Sequence, residues 1–159
     1  MTINYKPIGV INSPHKTKEG MPIQAKAAKG LKGTIIIEKI FMEGLKDLEA
    51  FSHLYVIYHF HKSNLYKLTT TPFLDNKTHG VFATRVPQRP NQIGISVVKL
   101  ISIKDNILEI ENNDILDGTP LLDIKPYIPD FDIHKVEKIG WYKNKIGKFK
   151  TLKSDTRFN

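Results

Sequence analysis

Three short stretches concentrate the side chains able to do chemistry. In GVFATRVPQRPNQIGIS, residues 80 to 96, Arg85 and Arg89 stand among Pro87 and Pro90. The proline rings fix φ on either side of Arg89, so the loop holds its guanidiniums with little freedom. A rigid planar cation suits a flat or anionic ligand, and an ion pair with the acidic segment 105–132 is its other ordinary employment. In HLYVIYHFH, residues 53 to 61, period-two alternation puts His53, Tyr55, Ile57, His59 and His61 on one face and Leu54, Val56, Tyr58 and Phe60 on the other. No carboxylate or third histidine stands at a ligand spacing from His59 and His61, so no metal site is expected. His61, at the strand end beside Lys62, is the ring placed to meet a ligand. In DILDGTPLLDIKPYIPDFD, residues 114 to 132, Asp114, Asp117, Asp123, Lys125 and Tyr127 crowd together between prolines. That run reads either as a plain surface turn followed by a short helix or as a rigid polar loop suited to proton transfer.

Strands must position these groups. YKPIGVI (5–11) reads as a first strand ending at Asn12-Ser13-Pro14, and GTIIIE (33–38) as a second. EGLKDLEAF (43–51) spaces Leu45, Leu48 and Phe51 like a short helix. HLYVIYHFH is a third strand, followed by a loop over 62–79. IGISVVKLISI (93–103) and NILEIE (106–111) read as a pair turning at Lys104-Asp105-Asn106, and IGWYK (139–143) as a last strand before a lysine-rich tail whose final KSDTRFN frays. Strands outnumber helices and do not alternate with them, so a mainly β fold is expected: a small antiparallel β-barrel with a few short helices.

The chain has 159 residues, 40% of them hydrophobic, which suits one unit over 1–159 with its core at about 5–143 and the tail at 143–159. With no cysteine, disulfides, thiolate metal sites and cysteine nucleophiles are excluded. No leader pattern opens the chain and no apolar run approaches the roughly 20 residues of a membrane span, so a soluble, cytoplasmic protein is expected. The formal charge of +8 favours polyanions. It is unevenly spread: 135–153 holds seven lysines against Glu137, while 105–132 holds eight acids against Lys125. No G-x-G-x-x-G, P-loop, H-E-x-x-H or G-x-S-x-G motif occurs, which leaves dinucleotide, P-loop, zincin and serine-hydrolase chemistry without support.

Four blocks, IGVINSP (8–14), LEAFSHLYVIYHFH (48–61), GVFATRVPQRPNQIGIS (80–96) and LDGTPLLDIKPYIP (116–129), closely resemble those of the TsaA-like, or TrmO, tRNA methyltransferases. The likeness runs from about Lys6 to Asp130. It implies an S-adenosylmethionine-dependent enzyme on a small β-barrel unlike the Rossmann-type methyltransferases, working as a homodimer. Its expected substrate is N6-threonylcarbamoyladenosine beside the anticodon of tRNA, methylated at N6. A noncatalytic RNA-binding module would share the charge and the barrel but not the cofactor residues. A methyltransferase acting on a small molecule or a protein would keep those residues without the RNA affinity.

Carried over by position, the resemblance places cofactor contacts at Gln24, Ala25 and Lys26, at His61 and Lys62, at Arg89, at Leu100, and at Ile115, Leu116, Asp117 and Gly118. The family usually shows Gln-Pro-Gly at 24–26, so only the backbone of Ala25 and Lys26 is equivalent, and Lys62 replaces a commoner Gln. Val86 and Gln92 stand where Ser and Pro are usual. The N6 of the expected substrate is a weak nucleophile and needs a proton acceptor. Asp117 is the first candidate and Tyr127 the alternative, with Lys125 polarising the carbonyl or meeting the carboxylate of the modification. Arg85 is assigned to the same carboxylate, and Lys143, Lys145 and Lys148 to the tRNA backbone.

Overall fold

The computed structural model describes residues 1–158. Its strands, in chain order, are β1 (Gly9–Asn12), β2 (Lys32–Ile37), β3 (His53–His59), β4 (Thr69–Thr70), β5 (His79–Gly80), β6 (Ile93–Lys104), β7 (Ile107–Glu111) and β8 (Thr119–Pro126). Six of them close a barrel in the order β1-β2-β7-β6-β3-β8, every neighbouring pair antiparallel. β4 and β5 form a separate two-stranded ribbon. The protein is a mainly β, six-stranded barrel with a few short helices.

Alternation builds the interior. Leu54, Val56 and Tyr58 of β3 point inward while His53, Tyr55, Ile57 and His59 stay partly exposed, and Val98 and Leu100 of β6 meet Leu108 and Ile110 of β7. Ile11, Ile35, Ile115 and Leu121 complete the core, each removed from water to the extent worth roughly 1.5–3 kcal/mol. Gly94 is required where it is: a Cβ there would run into the rings of Tyr58 and Phe60. The ring is fastened between β1 and β8 at three positions only, Gly9–Leu121, Val10–Pro120 and Ile11–Thr119, against seven between β3 and β6.

Several local expectations change. The segment 114–132 contains strand β8, not a turn followed by a short helix; a single α-helical turn, α1 (Pro129–Asp132), comes only after it. β8 carries a bulge: Tyr58 pairs with Leu121 and Ile57 with Asp123, so Leu122 is the extra residue. The segment 43–51 forms 3-10 turns at Lys39–Leu45 and Leu48–Ala50, interrupted at Asp47 with φ 66°, although Leu45, Leu48 and Phe51 still pack on the core. IGWYK is a 3-10 turn, Gly140–Lys145, not a strand; Gly140 has φ 57°, and a closed barrel has no edge left to extend.

Residues 153–158 do not fray, and Asn159 of the KSDTRFN stretch lies outside the described residues. Pro22 bridges Lys153, the Ser154 hydroxyl donates to the Lys18 carbonyl at 2.6 Å, and Arg157 donates to the Pro72 carbonyl at 2.9 Å. Phe158 is buried with Val81 and Val86. Val86, the departure from the family pattern, thus supplies an apolar seat for Phe158. Among the described residues no helix is long and apolar enough to cross a membrane.

Candidate active site

One end of the barrel opens into a cavity of about 920 Å³. β3 ends there with Tyr58, Phe60 and His61; β6 begins there with Ile93, Gly94 and Ile95; β8 begins there with Thr119. Loops carrying Gln24, Arg85, Arg89 and Asp114 frame the mouth, and Trp141, Phe149 and Phe158 of the C-terminal segment close one side.

The two arginines divide their work. Arg89 Nη1 donates to the carbonyls of Thr84 at 2.9 Å, Val81 at 3.3 Å and Val86 at 3.4 Å, so it shapes the proline loop while lining the cavity. Arg85 Nη1 donates to Gln24 Oε1 at 2.9 Å, tying two loops across the opening. Neither arginine forms an ion pair with the acidic segment within 4 Å.

Asp114, half-buried, lines the cavity. Its Oδ1 accepts a hydrogen bond from Ser96 Oγ at 2.7 Å, and Ser96 Oγ lies 3.2 Å from the buried Tyr58 hydroxyl. Loss of solvation pushes its carboxyl up to about 6; the Ser96 hydroxyl, the backbone amides of Asp114 and Ala25, and the Arg85 charge pull the other way. The Tyr58 phenol is driven upward, chiefly by burial and then by the Asp114 charge, and stays neutral.

His61 faces the same space. Thr119 Oγ1 donates to the Leu116 carbonyl at 2.6 Å, so its 3.3 Å contact with His61 Nδ1 requires that nitrogen to carry the proton. Nε2 is then the open nitrogen of the neutral ring. Burial lowers the His61 pKa below its usual value, with Lys62 and His59 adding to it.

Gln24, Lys26, His61, Lys62, Arg85, Arg89, Ile115 and Leu116 therefore gather at one cavity, with the Ala25 amide beside Asp114. Other candidates fall elsewhere. Leu100 points into the barrel core rather than the cavity. Asp117 Oδ2 pairs with Lys16 Nζ at 2.7 Å, and its Oδ1 accepts the Ser13 amide at 2.8 Å. The Lys16 ammonium and then that amide hold its carboxyl below the usual range, which makes it a fastener and a poor proton acceptor. The Asp117 amide in turn donates to the His15 carbonyl at 2.9 Å, and Gly118, with φ 71°, turns the chain into β8.

Lys125 pairs with Asp123 at 2.8 Å on the barrel exterior, and Tyr127 packs against Tyr55 and His53 at the start of β3. Both belong to the end of β3 remote from His61: Lys125 pairs with Tyr55 while Leu121, four residues earlier and roughly 13 Å away along the strand, pairs with Tyr58. Lys143 and Lys148 are exposed, whereas Lys145 reaches Asp75 at 3.4 Å. Asp114, Ser96 and Tyr58 were the groups left unassigned by sequence; only the position of Asp114 in the dense acidic run marked it.

Residues 10–133 match the family model described as the tRNA-methyltransferase O N-terminal domain. A Pyrococcus abyssi protein named a probable S-adenosyl-L-methionine-binding protein is 52% identical over 158 residues, covering 99% of this chain and 86% of that protein. The Escherichia coli tRNA (adenine(37)-N6)-methyltransferase is 38% identical over 138 residues, covering 80% of this chain and 59% of that protein. The crystal structure of TrmO from Pseudomonas aeruginosa superposes with a TM-score of 0.74 at 38% identity, covering 89% of this chain and 63% of that one. The chain thus spans 86% of the length of the Pyrococcus abyssi protein but under two thirds of these two bacterial proteins. A β-barrel that opens at the ends of β3 and β8, carrying the family's sequence blocks around that opening, belongs to the TrmO family.

Proposed function

We propose that the protein is an S-adenosylmethionine-dependent methyltransferase that methylates N6 of N6-threonylcarbamoyladenosine in tRNA. The observation that carries this reading is the cavity itself, which brings Asp114 together with Arg85, Arg89 and His61. Its donor set fits the cofactor: guanidiniums and lysines suit a carboxylate, a desolvated carboxyl suits cationic groups, and Phe60 and Leu116 offer apolar contact. Gln24, the Ala25 backbone, Lys26, His61, Lys62, Arg89, Ile115 and Leu116 would hold it. Bound there, S-adenosylmethionine supplies an electrophilic methyl group on a sulfonium.

The remaining work falls to the chain. Asp114, kept in place by Ser96, accepts the N6 proton, and a carboxyl tuned to about 6 is mostly ionised at neutral pH while still basic enough to help. Arg85, exposed at the mouth, meets the threonyl carboxylate. The apolar walls exclude water, and Lys143 and Lys148 meet the phosphate backbone.

Two copies pair in the working enzyme; the exposed Phe82, Ile93 and Ile95 at the cavity rim support such a contact. A tRNA substrate places the protein inside the cell.

The deciding experiment incubates the protein with S-adenosylmethionine and matched tRNAs with and without threonylcarbamoyladenosine, then digests them for nucleoside mass spectrometry. A mass gain of one methyl on the modified nucleoside alone is expected. Equal transfer to both RNAs, or to neither, rejects the assignment.

A further inference from the structure

The only tryptophan of the chain, Trp141, lies beyond the residues 10–133 that the family model covers, yet its ring forms part of the cavity wall. Three contacts fix its orientation. The indole Nε1–H donates to the Ala83 carbonyl at 2.8 Å. The His79 ring stacks on it with centroids 4.9 Å apart and planes 18° from parallel, and Tyr142 meets it at 78° with centroids 6.0 Å apart.

His79 is itself anchored from behind. Its Nε2 lies 3.0 Å from Asp75 Oδ2, and Asp75 Oδ1 takes Lys145 Nζ at 3.4 Å. The His79 hydrogen bond first, then the Asn76 amide and Lys145, pull the Asp75 carboxyl down to about 2, so the anchor keeps its charge at any working pH.

Trp141 is half-buried, and His79 is the one ring stacked on it among the described residues. The sequence around it, WYKNKIGKFK at 141–150, interleaves aromatic rings with lysines, of which Lys143, Lys148 and Lys150 are exposed. Rings beside cations are the ordinary means of holding single-stranded bases.

We propose that Trp141 is the stacking platform for the purine of the methyl acceptor, backed by the His79–Asp75–Lys145 assembly. The proposal rests on the methyltransferase reading above. The acceptor, rather than the cofactor adenine, is the ring assigned to it because the indole is tied to Ala83, two residues from Arg85, the group that meets the carboxylate of the modification.

Because the chain has a single tryptophan, its emission reports on this stack without any substitution. The probe is an anticodon stem-loop RNA carrying threonylcarbamoyladenosine, added to protein saturated with S-adenosylhomocysteine. Strong quenching on RNA addition, and little with S-adenosylhomocysteine alone, is expected. Trp141→Ala should lower kcat/KM for modified tRNA by roughly 5- to 150-fold, with cofactor affinity held and Trp141→Phe restoring most of the loss. Unchanged emission while anisotropy of a labelled RNA shows binding overturns the proposal, and so does full quenching by S-adenosylhomocysteine alone. Methyl transfer without quenching sinks only the platform, whereas absence of transfer by the unsubstituted protein sinks the functional reading. Should Trp141→Ala fail to fold, the emission experiment still decides.

Discussion

Replacing Asp114 by Asn should make the protein more stable and less active, and the size of the gain follows from its surroundings. The carboxyl titrates at about 6 in the folded chain against 3.8 as a free side chain. At about 1.4 kcal/mol per tenfold, keeping it ionised above that window costs the folded state roughly 3 kcal/mol. The sign is fixed by proton binding: between 3.8 and about 6 the folded chain holds a proton that the unfolded chain has released, so stability falls as pH rises through this range. Asn resembles the protonated acid and can still accept from Ser96 Oγ. Thermal or urea unfolding should therefore show Asp114→Asn ahead by roughly 1–3 kcal/mol at pH 8, or about 2–4 °C for each kcal/mol, and by about 0.5 kcal/mol at pH 4. Single-turnover methyl transfer should fall by about 10²–10⁴-fold, and the unsubstituted enzyme should lose rate as pH drops below about 6. A gain in stability equal at both pH values, or transfer that survives the substitution, would refute the placement of this carboxyl as a desolvated proton acceptor.

Asp117→Ala should cost about 1 kcal/mol by leaving the Ser13 amide and Lys16 without their partner, with single-turnover transfer by the remaining folded protein unchanged; a large loss of the chemical step would return Asp117 to catalysis. Gly94→Ala should destabilise by roughly 1–3 kcal/mol in urea unfolding, because its methyl displaces the Tyr58 ring from Ser96. Neutral Gln at Lys143 and Lys148 together should flatten the logarithmic salt dependence of tRNA binding by up to about 2, while Lys145→Gln, whose ammonium already faces Asp75, should change it less. Sedimentation should find a dimer, and Ile95→Glu at the cavity rim should shift it to monomer.

The strand with clean alternation was readable: β3 declares its inner face residue by residue, and Asp105, with φ 53°, turns β6 into β7 where the sequence placed the turn, whereas β6 buries Gly94 and Ser96, exposes Ile93 and Ile95, and shifts register between Leu100 and Ser102. β8 hid for two physical reasons. Pro120 and Pro126 argue against a strand, and the bulge at Leu122 changes the parity of the inward positions, so that Leu121 faces Tyr58 while Ile124 faces Val56. The motif blocks led to His61, Lys62, Arg89 and the 115–116 loop, which share one cavity. They did not separate Asp114 from Asp117. Two aspartates three positions apart look alike in sequence, and only the partners the fold supplies, Ser96 for one and Lys16 for the other, set their proton affinities apart. The lysine-rich character of 135–153 likewise concealed Trp141 and Phe149, whose spacing follows neither helix nor strand.

The three-position contact between β1 and β8 also dictates an order of assembly. The hydrogen bond beside it, from the Ser13 amide to Asp117, joins residues 104 positions apart, so closing this joint requires the largest loss of chain freedom and few local contacts reward it in advance. The hairpin β6–β7 and the β3–β6 pairing can form first, leaving an open, curled sheet whose two free edges are β1 and β8 or their neighbours. Gln24 follows the first of these strands and Leu116 precedes the second, so the cavity has no complete wall until the circle is shut. The amide proton of Ile8, which donates to the Leu121 carbonyl at 2.8 Å beside this joint, should therefore exchange by openings smaller than global unfolding, and any molecule that bridges the two sides should slow that exchange by holding the last-formed joint together.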